Sequence, residues 1–213
     1  KGRYRQFNQI NFEIFGTNDV FADVELIVLA NNILNELFAN KTFDLHINSL
    51  GDLNTLNKYK QELEIYFNKF NKDLSLDSQK KIKSNSLRIL DSKDLKDQEI
   101  CISAPKIFEF YSKKAKDKFL NIQKHLSNLS INYIINPGLV RGLDYYCHTV
   151  FEFKTNELGS QGTLIGGGRY DGLVKTLGGP DIPGVGWAGG VERILMLMEK
   201  VIKNDLKISI ILM

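Results

Sequence analysis

The chain has 213 residues, 43% hydrophobic and 25% charged, the make-up of a soluble globular protein long enough to bury a core in one large or two modest domains. The 28 basic and 25 acidic residues leave a net charge of only +3, so a nucleic-acid role has to rest on local clusters. No apolar run approaches membrane-spanning length and no signal peptide opens the chain. Cys101 and Cys147 stand far apart, as reduced thiols of a cytoplasmic protein do, and His46, His125 and His148 form no metal-ligand spacing, so no protein-held metal is expected.

In chain order, residues 7–16 alternate as a strand: Ile10, Phe12 and Ile14 face a core, while Gln9, Asn11 and Glu13 face the other side with Phe7 and Phe15. That polar face reads as partly covered, and a covered Gln and Glu need partners. Residues 18–40 predict a helix capped by Asp19, with Val20, Val24, Ile27, Leu34, Leu37 and Phe38 on one stripe. Residues 42–50 alternate again and predict a second strand. At Gly51 the composition turns rich in Lys, Asn and Asp, and helical stripes continue to about residue 130 past a breaker at Ala104-Pro105. This predicts a helical module inserted between two parts of a sheet. Its Lys-rich run, 113–118, reads as the solvated face of a helix. The sheet is expected to resume at 131–136 and 149–155. Residues 163–165 then lead into G-G-G-R-Y-D-G (166–172), whose glycines are expected to let backbone approach a ligand and to leave amides free for an anion. Residues 185–188 predict a strand, and Gly189-Gly190 a helix start with Glu192 and Arg193 on its first turn, a place for a phosphate or a solvated arginine. The opening K-G-R, without an initiator Met, and the closing K-I-S-I-I-L-M suggest a fragment of a larger protein.

The chain is organised around P-G-L-V-R-G-L-D-Y-Y-C-H-T-V-F-E (137–152). Arg141 there is permanently charged and carries a fixed fork of five donors suited to phosphate or carboxylate. Held in a poorly hydrated pocket, it calls for an anion. The alternative is that it pairs with Asp144 and closes a turn.

Taken together, several segments resemble the histidyl-tRNA synthetases, which are class II aminoacyl-tRNA synthetases. The resemblance covers nearly the whole chain: K-G-R-Y-R-Q-F-N-Q (1–9), F-E-I-F-G (12–16), L-V-R-G-L-D-Y-Y (139–146), T-V-F-E (149–152), G-S-Q-G-T (159–163), G-G-R-Y-D-G-L-V (167–174) and P-G-V-G-W-A-G-G-V-E-R (183–193). Trp187 stands where the family usually has Phe, and Gly166 where Ala is frequent. The resemblance implies an α+β fold, a class II antiparallel sheet flanked by helices with an inserted helical domain. It divides the chain into a first part of the catalytic core (1–50, with the later half of motif 2), a helical insertion (51–130), a second part (131–205, with motif 3) and the start of an anticodon-binding domain (206–213).

It also implies ATP, accompanied by Mg2+, as cosubstrate, L-histidine and tRNA(His) as partners, and a homodimer in the full-length enzyme. Arg141 would be the catalytic arginine, touching both the histidine carboxylate and the α-phosphate. Arg193, and Arg3 near the nucleotide, would bind ATP. Gln9, Glu13, Tyr145, Tyr146, Gly167 and Gly168 would surround histidine, with Glu13 and Tyr146 on its ring nitrogens. Motif 1, the first half of motif 2 and nearly all of the anticodon-binding domain have no counterpart here, so the 213-residue chain alone is expected not to aminoacylate. The catalytically silent regulatory subunit of ATP phosphoribosyltransferase, or a synthetase-like domain sensing uncharged tRNA inside a kinase, shares this likeness. An intact L-V-R-G-L-D-Y-Y favours the synthetase over the regulatory subunit.

Overall fold

The structure, a computed structural model, describes residues 5–141 and 143–198, with 160 and 161 described by backbone alone. Arg3 and the expected start of a further domain at 206–213 lie outside the described residues. The strands are β1 (Gln9–Phe15), β2 (Asp44–Ser49), β3 (Ile134–Ile135), β4 (Cys147–Lys154), β5 (Thr163–Arg169) and β6 (Gly184–Gly190). They form one sheet in the order β1-β6-β5-β4-β2-β3. Every pairing is antiparallel except β2 with β3, which run parallel. The sheet is therefore mixed at one edge, and the strand expected at 131–136 shortens to two residues there.

Alternation along each strand assigns the faces. Phe12, Trp187, Gly167, Phe151 and Ile47 fall on one face, and Glu13, Gly186 and Gly168 on the other. Helix α1 (Val20–Leu37) covers the first face. It starts where expected because the Asp19 carboxylate accepts from Phe21 N at 3.0 Å, satisfying one of the free donors of the first turn. Val24, Ile27 and Leu34 of α1 are buried with Leu45, Ile47, Phe151, Phe153, Val185 and Trp187 in one core. The Trp187 indole donates to Leu26 O at 3.0 Å. β1 forms the outer edge of this sheet. Phe12 rests on Trp187 with ring centroids 4.8 Å apart and Ile14 packs on the core, but Ile10 stays 48% exposed. Phe12 too is 37% exposed, so the expectation that all three face a core holds fully only for Ile14.

The segment after Gly51 contains α2 (Leu53–Lys69), α3 (Leu76–Asn85), α4 (Leu95–Ile102) and α5 (Lys113–Asn128). These do not pack as one unit. Leu56, Tyr59, Leu63 and Phe67 of α2 and Ile82 of α3 form a second cluster with Leu139, Val140 and Val150, on the face away from α1. Phe119, Ile122 and Leu126 of α5 instead join the core beneath the sheet. Of the run 113–118 expected on a solvated face, Lys113, Lys114 and Lys116 lie exposed on α5, but Lys118 is half-buried and burial lowers its pKa.

The largest departure from the sequence reading is the glycine run. Gly166, Gly167 and Gly168 lie inside β5, between β4 and β6, so the strand ladders on both sides take up their amides. Glycine is needed here for closeness of packing. A β-carbon on Gly167 would lie 2.1 Å from Gly186 O, and one on Gly168 2.4 Å from Thr149 O. The following Arg169 is fully buried against α1. Its Nε donates to both Asp23 carboxylate oxygens at 3.2 and 3.1 Å, and its Nη2 to one of them. Nη1 reaches Thr17 O at 2.8 Å and Asp171 at 3.1 Å. This arginine pins β5 to α1.

Candidate functional site

The face away from α1 carries the site. On β1, Gln9 and Glu13 share it by alternation, and β6 and β5 offer only Gly186, Ala188, Gly190, Gly166 and Gly168 beneath them. This near-flat floor gives side chains from neighbouring elements room to lie down. A β-carbon on Gly186 would fall 1.5 Å from Glu13 Oε2, and one on Gly166 2.6 Å from Arg141 Nη1.

A cavity of about 370 Å3 opens at one end of the floor, lined by Gln9, Arg141, Thr163, Gly166, Glu192 and Arg193 among others. Its volume is within the ordinary range of small-molecule sites, roughly 300–1,000 Å3. The two arginines thus meet on one cleft, from the loop before β4 and from α7 (Val191–Leu197) at the end of β6. Arg193 Nη1 donates to Thr163 O at 2.7 Å. Arg141 does not close the turn with Asp144, whose carboxylate accepts from Asn85 Nδ2 at 2.5 Å. Its Nη1 lies 3.7 Å from Glu152 Oε2 instead, and its buried Nε has no hydrogen-bond partner among the described residues. A buried guanidinium donor left open beside a second guanidinium fits a polyanion such as a nucleotide phosphate chain.

Beside this cleft lies an aromatic group. Arg141 Cζ stands 5.9 Å from the centre of the Tyr146 ring. The Tyr145 and Tyr146 rings are 4.5 Å apart, and both meet Tyr170 edge-on at 5.8 and 6.4 Å. The Tyr145 hydroxyl donates to that of Tyr146 at 3.4 Å. Tyr170 donates its hydroxyl proton to Glu13 Oε2. Burial, and then the bond to Glu13, raise the Tyr170 phenol well above its ordinary pKa, so it keeps its proton and acts as donor. Burial, followed by its contact with Tyr146, raises Tyr145 in the same way.

Of the residues singled out from sequence, Arg141, Arg193 and Gln9 line one cavity, and Glu13, Tyr145 and Tyr146 join the adjacent group through Tyr170. Gly168 belongs to the floor. Gly167 does not: it sits on the core face, where a side chain would run into Trp187. The sequence reading missed Tyr170, Glu152 and Thr163. Tyr170 was hidden in a stretch read as a glycine loop. Glu152, between two phenylalanines of a strand and 6% exposed, carried a signal in its own setting, because a buried acid needs partners. A groove of about 690 Å3 leaves Arg141 on its other side, bordered by Lys81, Arg88 and Lys93 and by Asp77, Asp91 and Asp94. Among the described residues no group of three or more His, Cys, Asp or Glu is placed to hold a metal ion, and no helix is long and apolar enough to cross a membrane.

The sequence model of the family described as Histidyl-tRNA synthetase matches residues 1–194. The chain belongs to the histidyl-tRNA synthetase family. It is 53% identical over 211 residues to a histidine--tRNA ligase of Wolbachia pipientis wMel, covering 99% of this chain and 52% of that protein. It is 47% identical over 199 residues to one from Picosynechococcus, covering 93% and 46%. The chain therefore spans about half the length of the curated relatives it matches. Among solved structures, the apo histidyl-tRNA synthetase of S. aureus superposes with a TM-score of 0.71 at 34% identity, covering 91% of this chain and 47% of that one. A Bacillus halodurans protein described as an ATP phosphoribosyltransferase regulatory subunit/histidyl-tRNA synthetase gives 0.60 at 20% identity over 91% of this chain and 54% of that one, a likeness of fold alone. The mixed sheet flanked by helices is thus the fold shared with these synthetases.

Proposed function

We propose that this chain is the central part of a histidine–tRNA ligase, which joins L-histidine to ATP to form histidyl-adenylate and then transfers the histidyl group to the 3′ end of tRNA(His). The observation that carries the reading is the meeting of Arg141 and Arg193 on one cavity, directly beside the Glu13–Tyr170–Tyr145–Tyr146 group. In the first step a histidine carboxylate oxygen attacks the α-phosphorus, a bond forms between them, and the bond to pyrophosphate breaks. Charge grows on the phosphorus oxygens. Arg141 is the catalytic residue: its open Nε and its Nη donors face that charge and hold the carboxylate against it. Arg193, with Arg3, holds the remainder of ATP. Mg2+ arriving with ATP would supply further charge neutralisation on the phosphates.

Neutral imidazole presents one N–H and one bare nitrogen. Glu13 accepts from the first, and a tyrosine hydroxyl, that of Tyr146, donates to the second. Gln9 takes the amino-acid end of the substrate and Gly168 allows close approach; Gly167, on the opposite face, is dropped from this set. An amino acid without ring nitrogens would leave these groups unpaired, which rejects it strongly. The insertion 51–130 reaches toward the acceptor arm. The whole enzyme is a cytoplasmic homodimer.

The test is Arg141→Ala in the full-length protein, read by histidine-dependent pyrophosphate exchange. The rate is expected to fall roughly 10²–10³-fold, the usual effect of losing a fixed donor at a developing anion. A rate within threefold of wild type would overturn the assignment.

A further inference from the structure

We infer that Glu152 is a positioning residue, which together with Thr163 ties the two cleft arginines into one frame and holds the Arg141 guanidinium where the α-phosphate reacts. The inference rests on the reading of Arg141 given above and extends it to residues that reading does not use. Glu152 faces the site from β4, opposite Gly166 in the strand register. Its Oε2 lies 3.7 Å from Arg141 Nη1 and accepts from Thr163 Oγ1 at 2.9 Å, while Oε1 lies 2.5 Å from Lys154 Nζ. Thr163 in turn receives Arg193 Nη1 on its carbonyl at 2.7 Å. Arg141, Glu152, Thr163 and Arg193 are therefore linked in series.

The geometry suits a tether. At 3.7 Å the carboxylate attracts the guanidinium without making a full hydrogen bond to it, so the donors of Arg141 remain available to a ligand. Gly166 supplies the other wall of the slot, since a β-carbon there would press within 2.9 Å of Arg141 Cζ. Arg141 leaves from a loop, and Asp144, the acid three residues on, is taken by Asn85. A half-buried guanidinium is costly without a counter-charge, and Glu152, a carboxylate that Arg141 shares with Lys154, is the acid that faces it.

The experiment is a double-mutant cycle in the full-length enzyme with Glu152→Gln, Arg141→Ala and the pair, measured by histidine-dependent pyrophosphate exchange. Glu152→Gln alone is expected to lower kcat about 10- to 100-fold, with the histidine KM moved less than about threefold. In the Arg141→Ala background it is expected to cost no more than about twofold, because linked residues are non-additive. Added guanidinium ion is expected to restore part of the activity of Arg141→Ala and none of that of the double variant. If Glu152→Gln costs the same factor in both backgrounds, the inference is overturned. It is likewise overturned if raised magnesium recovers the loss, which would assign the carboxylate to the cation that accompanies ATP. Wild-type exchange from Arg141→Ala would instead overturn the reading of Arg141 itself. Should Glu152→Gln melt below the assay temperature, Thr163→Val, which removes only the hydroxyl donor to Glu152, takes its place in the cycle with the same outcomes.

Discussion

Gly186→Ala separates the fold from the histidine pocket. A β-carbon at residue 186 would lie 1.5 Å from Glu13 Oε2 and 2.2 Å from its Cδ, far inside any tolerable contact. The backbone of Gly186 is held between Glu13 on β1 and Gly168 on β5, so the carboxylate must move. It has somewhere to go, because Glu13 lies on the exposed outer edge strand. Swinging outward, it loses the Tyr170 hydroxyl and its place beside the tyrosines. A hydrogen bond to a charged group contributes about 1.5–3 kcal/mol, and each 1.4 kcal/mol is about tenfold. The expected result in the full-length protein is therefore a fall in kcat/KM for histidine of about 10- to 100-fold. The ATP KM is expected to move less than about twofold, since Arg141 and Arg193 lie over Gly166 and beyond Gly190. The melting temperature is expected to fall modestly as well, because the hydroxyl of buried Tyr170 loses its charged acceptor. The assay is pyrophosphate exchange against histidine concentration, with Glu13→Gln as the comparison. A histidine kcat/KM within twofold of wild type would refute the argument that Glu13, seated on Gly186, accepts from the substrate ring.

Two further outcomes follow from buried charge. Asp23→Asn leaves Arg169, fully buried, without its main counter-ion. Breaking such a pair costs about 3–5 kcal/mol, which thermal unfolding would register as a large fall in melting temperature; a loss below about 1 kcal/mol would contradict the pinning role. His148, at φ 46°, is pushed down to about 4, first by burial and then by Lys118. The folded state thus keeps His148 neutral while the unfolded chain takes up its proton between pH 6.5 and 4. Stability fully present above pH 6.5 is lost as pH falls through that window, by up to about 3 kcal/mol. Urea unfolding at pH 7.0, 5.5 and 4.5 should show this slope, and His148→Asn, which tolerates the same backbone, should flatten it. Equal slopes would contradict the assignment.

Periodicity and end signals made the secondary structure readable where a side chain acts on its own neighbourhood. Asp19 capped the helix foreseen for it, and the alternation at 9–15 and 44–49 marked both strands, although β1 at the sheet edge stays largely exposed and β2 is buried on both faces toward its end. The family motifs likewise pointed to Arg141, Arg193, Gln9 and Glu13 without coordinates. The glycine run misled, because glycine looks the same in sequence whether it frees a loop or lets two strands close together. Only the pairing of β5 with β4 and β6 separated these, and it moved Gly167 to the core face. α5 is as Lys-rich as its neighbours in the chain, yet its apolar stripe found α1 and the underside of the sheet.

What the sequence alone determined is local and chemical: which residues are charged, which segments are amphipathic, and which family the motifs belong to. Burial and convergence were decided by tertiary structure. Arg169 and Arg141 are the same residue type, each beside glycine, but the pairing of β5 sends Arg169 inward to Asp23, while the loop carrying Arg141 delivers its fork onto the open face. A guanidinium serves as structural pin or reactive group according to which side of the sheet it reaches, and that depends on strand pairings between segments far apart in the chain.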